Sequence, residues 1–138
     1  MKGGVLPRGL PPVQRGLFVV HPRAEDAAVP GWMIIAPVRH VEQWDELSPR
    51  EQKELGELIG VVTSALREVT HAEKIYVNVF AEVVAHLHVH VIARTRDVAS
   101  EMRGPRIFQT AGADPEAADA IARSVLQKLK PGDRKSVV

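Results

Sequence analysis

Leu55, Leu58, Ile59, Val62, Leu66 and Val69 recur at intervals of three or four residues, the spacing of one face of an α-helix. Ser48-Pro49-Arg50-Glu51 stands ahead of them as an S-x-x-E capping box, with proline at the first helical position where a missing N–H costs nothing. The pattern predicts a helix that starts at Ser48 and extends roughly 30 Å, at about 1.5 Å per residue. Gly56 and Gly60 fall inside it at a cost of about 1 kcal/mol each against alanine, which predicts close backbone packing at those positions. A second helix is predicted from Pro115 to about Lys130, capped by Asp114, with Ala118, Ile121, Ala122, Val125 and Leu129 on one side and Pro131-Gly132 as its stop.

Two short apolar runs fit strands: Leu17 to Val20, bounded by Gly16 and Pro22, and Trp32 to Ala36, bounded by Gly31 and Pro37. Arg23 to Val29 reads as a loop. Ile75 to Ala93 is rich in Val and Ile and lacks Gly and Pro, but its 19 residues far exceed a usual strand, so a turn must interrupt it. Met1 to Gly16 carries glycines and prolines without an apolar period and predicts an irregular arm. The organisation expected is an arm over 1–16, a single domain over 17–130 and a tail over 131–138.

Composition narrows the chemistry. The chain has 138 residues, one domain's worth, and a formal charge of +1 from 18 Lys and Arg against 17 Asp and Glu. That balance argues against a nucleic-acid polymer as partner, because such binding is held mainly by phosphate counterion release. With no cysteine, disulfides, thiolate-bound zinc, iron–sulfur clusters and a thiol nucleophile are all excluded. No 18-residue apolar run and no signal-peptide core stand in the sequence, so no membrane partner is expected and a cytoplasmic location is.

The informative feature is His86-Leu87-His88-Val89-His90. Chance places three of the six histidines at alternate positions of one five-residue stretch with a probability on the order of 0.01. In a strand, the three imidazoles share one face above an aliphatic opposite face. Three readings compete. One is a half-exposed strand whose polar face happens to use His. A second is a metal site built on two His at i and i+2, with His40, His21 or a carboxylate supplying another ligand, since the outer pair His86 and His90 lie roughly 13 Å apart along a strand. The third is nucleophilic catalysis at phosphorus.

His86 to Ile92 matches the His-φ-His-φ-His-φ-φ motif, φ being apolar, and so resembles the histidine triad (HIT) superfamily of nucleotide hydrolases and transferases. Upstream, Gly31-Trp32-Met33-Ile34-Ile35-Ala36-Pro37-Val38-Arg39-His40 is similar to that family's G-x-x-φ-φ-x-P-x-[KR]-H segment. Two separated motifs in the right order, within roughly Leu17 to Arg94, make the resemblance specific. It implies an α+β fold with a HIT-like antiparallel sheet meander, one long helix and a C-terminal helix, and commonly a homodimer. It also implies a small-molecule nucleotide substrate and no cofactor or metal. His88 would attack the α-phosphorus of a nucleoside 5′-phosphate conjugate to form a nucleotidyl-histidine, which water or another acceptor resolves. His86, His90 and His40 would surround the phosphate as donors that stabilise charge developing in the transition state. The alternatives are a non-catalytic nucleotide-binding module and a metal-dependent hydrolase using the His pair.

The resemblance is incomplete. Many members carry a Gly-rich loop ending in Gly-Gln-Ser or Gly-Gln-Thr before the first triad His, whereas Asn78 to Ala85 is shorter and Gly-free, as in a less-studied prokaryotic HIT-like branch. Glu82 falls near the usual Gln, and a carboxylate beside a phosphate is repulsive unless it is protonated or paired. Asn78 stands where the family often has a phosphate-contacting Asn. The ribose-binding acid expected before Gly31 is not evident, Glu25 and Asp26 reading as loop residues. Arg94, Arg96, Arg103 and Arg106 form either a solvated basic loop or a lid for distal phosphates, with Arg94 as the substrate-binding candidate. Trp32, Trp44 and Phe108 fit core or surface packing better than base stacking.

Overall fold

In a computed structural model of the chain, which describes residues 10–23, 27–80 and 85–130, the capping box forms as its residues dictate. The Ser48 hydroxyl accepts the Glu51 N–H at 3.1 Å and the Glu51 carboxylate accepts the Ser48 N–H at 2.7 Å, which starts helix α1, Pro49–Thr70. Leu55, Leu58, Val62, Ala65 and Leu66 are buried along one side of α1, with Ile59 and Val69 packed at its margin. Gly56 and Gly60 are exposed, and a Cβ on either would meet nothing within 4 Å. Among the described residues nothing packs closely against them, because the buried stripe takes the opposite side of the helix. α1 ends at His71, whose backbone is left-handed (φ 58°) and whose N–H donates to the Arg67 carbonyl at 2.7 Å. The second helix, α2, runs Pro115–Leu129, with the Asp114 carboxylate accepting the Glu116 N–H.

Among the described residues, five strands form one antiparallel sheet: β1 Val13–Arg15, β2 Phe18–Pro22, β3 Trp32–Pro37, β4 Lys74–Val79 and β5 Val89–Arg94. The first three meander. α1 then carries the chain to the far edge, where β4 lies, and β5 returns to fill the gap between β3 and β4, so the order is β1-β2-β3-β5-β4. The stretch expected to be irregular up to Gly16 ends instead in β1. A two-residue turn joins β1 to β2; Gly16 supplies its positive φ of 61°, and the Leu17 N–H is held by the Glu54 carboxylate of α1 at 2.7 Å. A three-residue strand stabilised by such a remote contact carries no period of its own.

The sheet is covered on both sides. Phe18, Val20, Met33, Ile35, Val89, Val91 and Ala93 face the helices and join Leu55, Leu66, Val125 and Leu129 in the main core. Trp32, Ile34 and Ile92 face the other way into a smaller cluster closed by Val98 and Ile107. These two come from the segment after β5, which makes short 3₁₀ turns at Ser100–Met102 and Gly104–Gln109. Tyr76 of β4 ties this cover down, its hydroxyl accepting the Gly104 N–H at 2.8 Å. Gly31 lets the strand ends meet, since a Cβ there would lie 2.9 Å from the Ala93 Cβ.

Two substitutions test this account of α1. His71→Gly relieves a left-handed conformation that a Cβ disfavours, and Gly56→Ala lowers the backbone entropy lost in an open helical position. Each is expected to raise unfolding free energy by about 1 kcal/mol in denaturant titration. A loss of stability from Gly56→Ala would show that this side of the helix is packed after all.

Candidate active site

Leu87, Val89 and Val91 are buried in the helix-side core, so His86, His88 and His90 alternate onto the other side of the chain. Only His90 lies within a laddered strand. At Leu87 the chain has already left β4, and its N–H donates to the Val41 carbonyl at 2.7 Å. The triad therefore straddles the start of β5, beside the turn that leaves β3.

Hydrogen-bond partners assign a role to each ring nitrogen, because a carbonyl can only accept. His86 Nε2–H donates to the Pro37 carbonyl at 2.9 Å, which leaves Nδ1 as an acceptor facing His40 Nδ1 at 3.3 Å. The two rings stack with centroids 5.2 Å apart. His88 Nδ1–H donates to the His86 carbonyl at 2.8 Å, so the neutral ring keeps its lone pair on Nε2. His86, expected as a phosphate donor, has both nitrogens engaged; it acts on His88 through its backbone oxygen. His40 is the exposed member, with Nε2 3.3 Å from the Glu42 carboxylate. Its loop is anchored by Arg39, which donates to both carboxylate oxygens of the buried Glu51 and to the Glu46 carbonyl. Bonds from Arg39 and the Ser48 backbone hold the Glu51 carboxyl down at about 2.

His90 departs furthest from the expectation of a solvent-facing strand histidine. It is 8% exposed, and its Nδ1 accepts the Trp32 indole N–H at 2.9 Å. Trp32 and Phe108 both meet the imidazole edge to face, at 5.7 and 5.1 Å between centroids. Burial, with His88 and Arg23 nearby, lowers His90 to about 4. Trp32 and Phe108 are thus second-cluster residues that also wall the site, whereas Trp44 is exposed in a 3₁₀ turn, Trp44–Glu46. With these bonds formed among the described residues, His88 Nε2 is the triad lone pair without a partner there.

The sheet register brings two further groups into line. Asn78 of β4 pairs with His90, which lies across Ile34 from His21 of β2. From sequence His21 reads only as a possible metal ligand. Here its Nδ1–H donates to the Pro22 carbonyl at 2.8 Å, and burial with His88 nearby lowers its pKa. Its signal in the sequence was the alternation of β2, which puts Val19 and His21 opposite the core residues Phe18 and Val20. Among the described residues, no three His, Asp or Glu side chains are grouped to hold a metal ion. Arg94 is not brought to the triad. It lies four residues along β5 from His90, roughly 13 Å away, with its guanidinium on Glu73. Arg96 pairs with the same carboxylate, and Arg103 donates to the Val98 and Arg96 carbonyls, so this basic stretch braces the cover of the sheet. Glu82, Glu25 and Asp26 lie outside the described residues.

The buried imidazole makes a pH prediction. His90 titrates near 4 in the fold and near 6.5 in the unfolded chain, so between these values the unfolded state binds the extra proton. Stability is therefore complete above about pH 6.5 and falls as pH drops toward 4, by on the order of 3 kcal/mol. His21 acts in the same direction, while the loss from Glu51 comes at lower pH, as its carboxyl protonates toward 2. His90→Asn is expected to flatten the slope between pH 6.5 and 4.5 in chemical denaturation; an unaltered slope contradicts the assignment.

Residues 17–97 match the family model of the HIT domain, more than half of the chain. A histidine triad protein from Sinorhizobium meliloti superposes with a TM-score of 0.70 at 29% identity, covering 83% of this chain and 84% of its own. One from Bradyrhizobium japonicum gives 0.71 at 25% identity over 85% and 90% of the two chains. A third, from Marinobacter aquaeolei, shares the fold, with a TM-score of 0.68 at 23% identity over 84% of each chain. No curated protein matches the sequence. With the triad motif, the two-sided five-stranded sheet and the domain match in agreement, the chain belongs to the histidine triad (HIT) family.

Proposed function

We propose that this protein is a nucleotide hydrolase or nucleotidyl transferase that acts at the α-phosphate of a nucleoside 5′-phosphate conjugate through a nucleotidyl-His88 intermediate. The observation that carries this reading is the His88 Nδ1–H bond to the His86 carbonyl, which directs the ring's nucleophilic lone pair to Nε2. Nε2 attacks the α-phosphorus, a P–N bond forms, and the P–O bond to the leaving group breaks. The departing oxygen takes a proton from a neighbouring imidazole N–H or from water. In the second step water, or another hydroxyl acceptor, attacks phosphorus, its proton passes to the imidazole or solvent that protonated the first leaving group, and the P–N bond breaks, returning the electron pair to His88. His90, uncharged near neutral pH and held by Trp32, supplies a donor to the phosphoryl oxygens, and the exposed His40 is a second candidate at the rim once its Nε2 leaves the Glu42 carboxylate. Asn78 lies beside His90 in register to orient them. Glu82 is the candidate contact in place of the family's Gln. Arg94, bonded to Glu73, is a more distant candidate, for the conjugate's leaving group.

The reading includes a homodimer formed along β4. This strand is a sheet edge, and Val77, Val79 and the adjoining Phe80 are 44%, 36% and 59% exposed. A second copy pairing there would satisfy the open backbone groups and cover that apolar surface. Among the described residues no helix is long and apolar enough to cross a membrane, and we place the protein in the cytoplasm.

Release of nucleoside monophosphate from a panel of adenosine and guanosine 5′-conjugates tests the chemistry. His88→Ala is expected to fall to background while still binding nucleotide. His90→Ala is expected to retain turnover reduced on the order of a hundredfold, the usual loss for one preorganised group, and His86→Ala, which keeps the main-chain oxygen that orients His88, is expected to lose less. Near-wild-type turnover in His88→Ala contradicts the mechanism. For the assembly, sedimentation is expected to give a dimer that Val77→Lys converts to monomer; a monomeric wild type contradicts it.

A further inference from the structure

We propose that Trp32 is a positioning residue for the site: by donating its indole N–H to Nδ1 of His90, it confines the ring's one proton to Nε2 and makes His90 an obligate neutral donor beside His88. Indole nitrogen has no lone pair to offer and can only donate, so the 2.9 Å contact is possible only when His90 Nδ1 is bare. Trp32 is 2% exposed and cannot swing away, being wedged edge to face between His90 and Phe108, the latter at 5.1 Å. Water has little access to compete for Nδ1. The remaining nitrogen, Nε2, then carries the proton, and the His88 ring lies 4.9 Å from the His90 ring centroid to centroid.

The groups facing His90 reinforce this state. Arg23, following β2, stacks its guanidinium over the Trp32 ring at 4.2 Å. His88 approaches from the lead-in to β5, and His21 lies across Ile34 on β2. Each of these is a cation or can become one, and so opposes a second proton on His90. Asn78, from β4, and Phe108, from the cover, do not titrate. Protonation at Nδ1 would also set one N–H against another. Trp32 opens β3 on the same face of the sheet as His90, paired with Ile92 two residues along β5, which puts its indole N–H within reach of the imidazole.

The placement of the proton does not depend on the chemistry proposed above, but its catalytic consequence does, and the test separates them. Long-range ¹⁵N–¹H correlation spectra of the wild-type protein are expected to show His90 with a bare Nδ1 and a protonated Nε2 throughout pH 5 to 8. A protonated Nδ1 there overturns the proposal without need of any variant. Trp32→Phe keeps an aromatic ring and removes the donor. It is expected to release His90 into a mixture of tautomers and raise its titration midpoint by about one pH unit. Phe108→Leu disturbs the same cluster but keeps the indole N–H, and is expected to leave the tautomer unchanged. If both variants alter His90 alike, Trp32 is only a packing residue and the inference is wrong. In turnover assays, the acid limb of kcat is expected to move up with the midpoint in Trp32→Phe. If the tautomer shifts and this limb does not, the catalytic role of His90 fails while the positioning by Trp32 stands.

Discussion

β3 and β5 lie between neighbours on both edges and between packed clusters on both faces, and this two-sided burial constrains everything around them. A buried strand must be apolar on both faces or must satisfy each polar group that it carries inward. Every residue of β3 from Trp32 to Pro37 is buried, and β5 is buried from Val89 to Ala93. His90 is the polar member of that set. Its imidazole can be buried because it is neutral, accepts from Trp32 and has aromatic edges around it. The interaction that permits its burial is thus also the one that determines which of its nitrogens can donate.

From that point outward, the site becomes wetter and is held increasingly by backbone. His88 is half-buried and oriented by a main-chain oxygen, His86 by another, and His40 stands exposed at the rim. The rim is tied to α1 through Glu51, whose one carboxylate caps the helix and holds Arg39 next to His40. A capping residue therefore performs two tasks, and helix formation and loop placement are coupled. Such an arrangement presents donors preorganised by the fold, which is what stabilisation of a phosphoryl transition state requires.

Much of this was legible in the sequence, for local reasons. Ser48-Pro49-Arg50-Glu51 and Asp114-Pro115 announce helix starts by chemistry confined to four residues, and the alternation through Leu87, Val89 and Val91 separates imidazoles from core. The motif resemblance located the triad and the His40 loop together. What was not legible depends on contacts distant in the chain. β1 is held by its pairing and by Glu54 beside its turn, and the burial of His90 depends on Trp32, 58 residues earlier, and on Phe108. Arg94 is paired with Glu73 across the β4–β5 ladder, a partner that nothing nearby in the sequence marks. Gly56 and Gly60 illustrate the converse: small residues signal close approach only when something approaches.

The central claim is that Nε2 of His88 becomes bonded to phosphorus. Enzyme quenched during turnover of an adenosine 5′-conjugate, digested at neutral to alkaline pH to preserve a P–N bond and mapped by tandem mass spectrometry, tests it directly. Nucleotidyl mass is expected on the peptide containing His86, His88 and His90, localised to His88 and absent when the chase is completed before quenching. Labelling of a different residue, or turnover under rapid quench with no nucleotidyl-enzyme at any time, would contradict it.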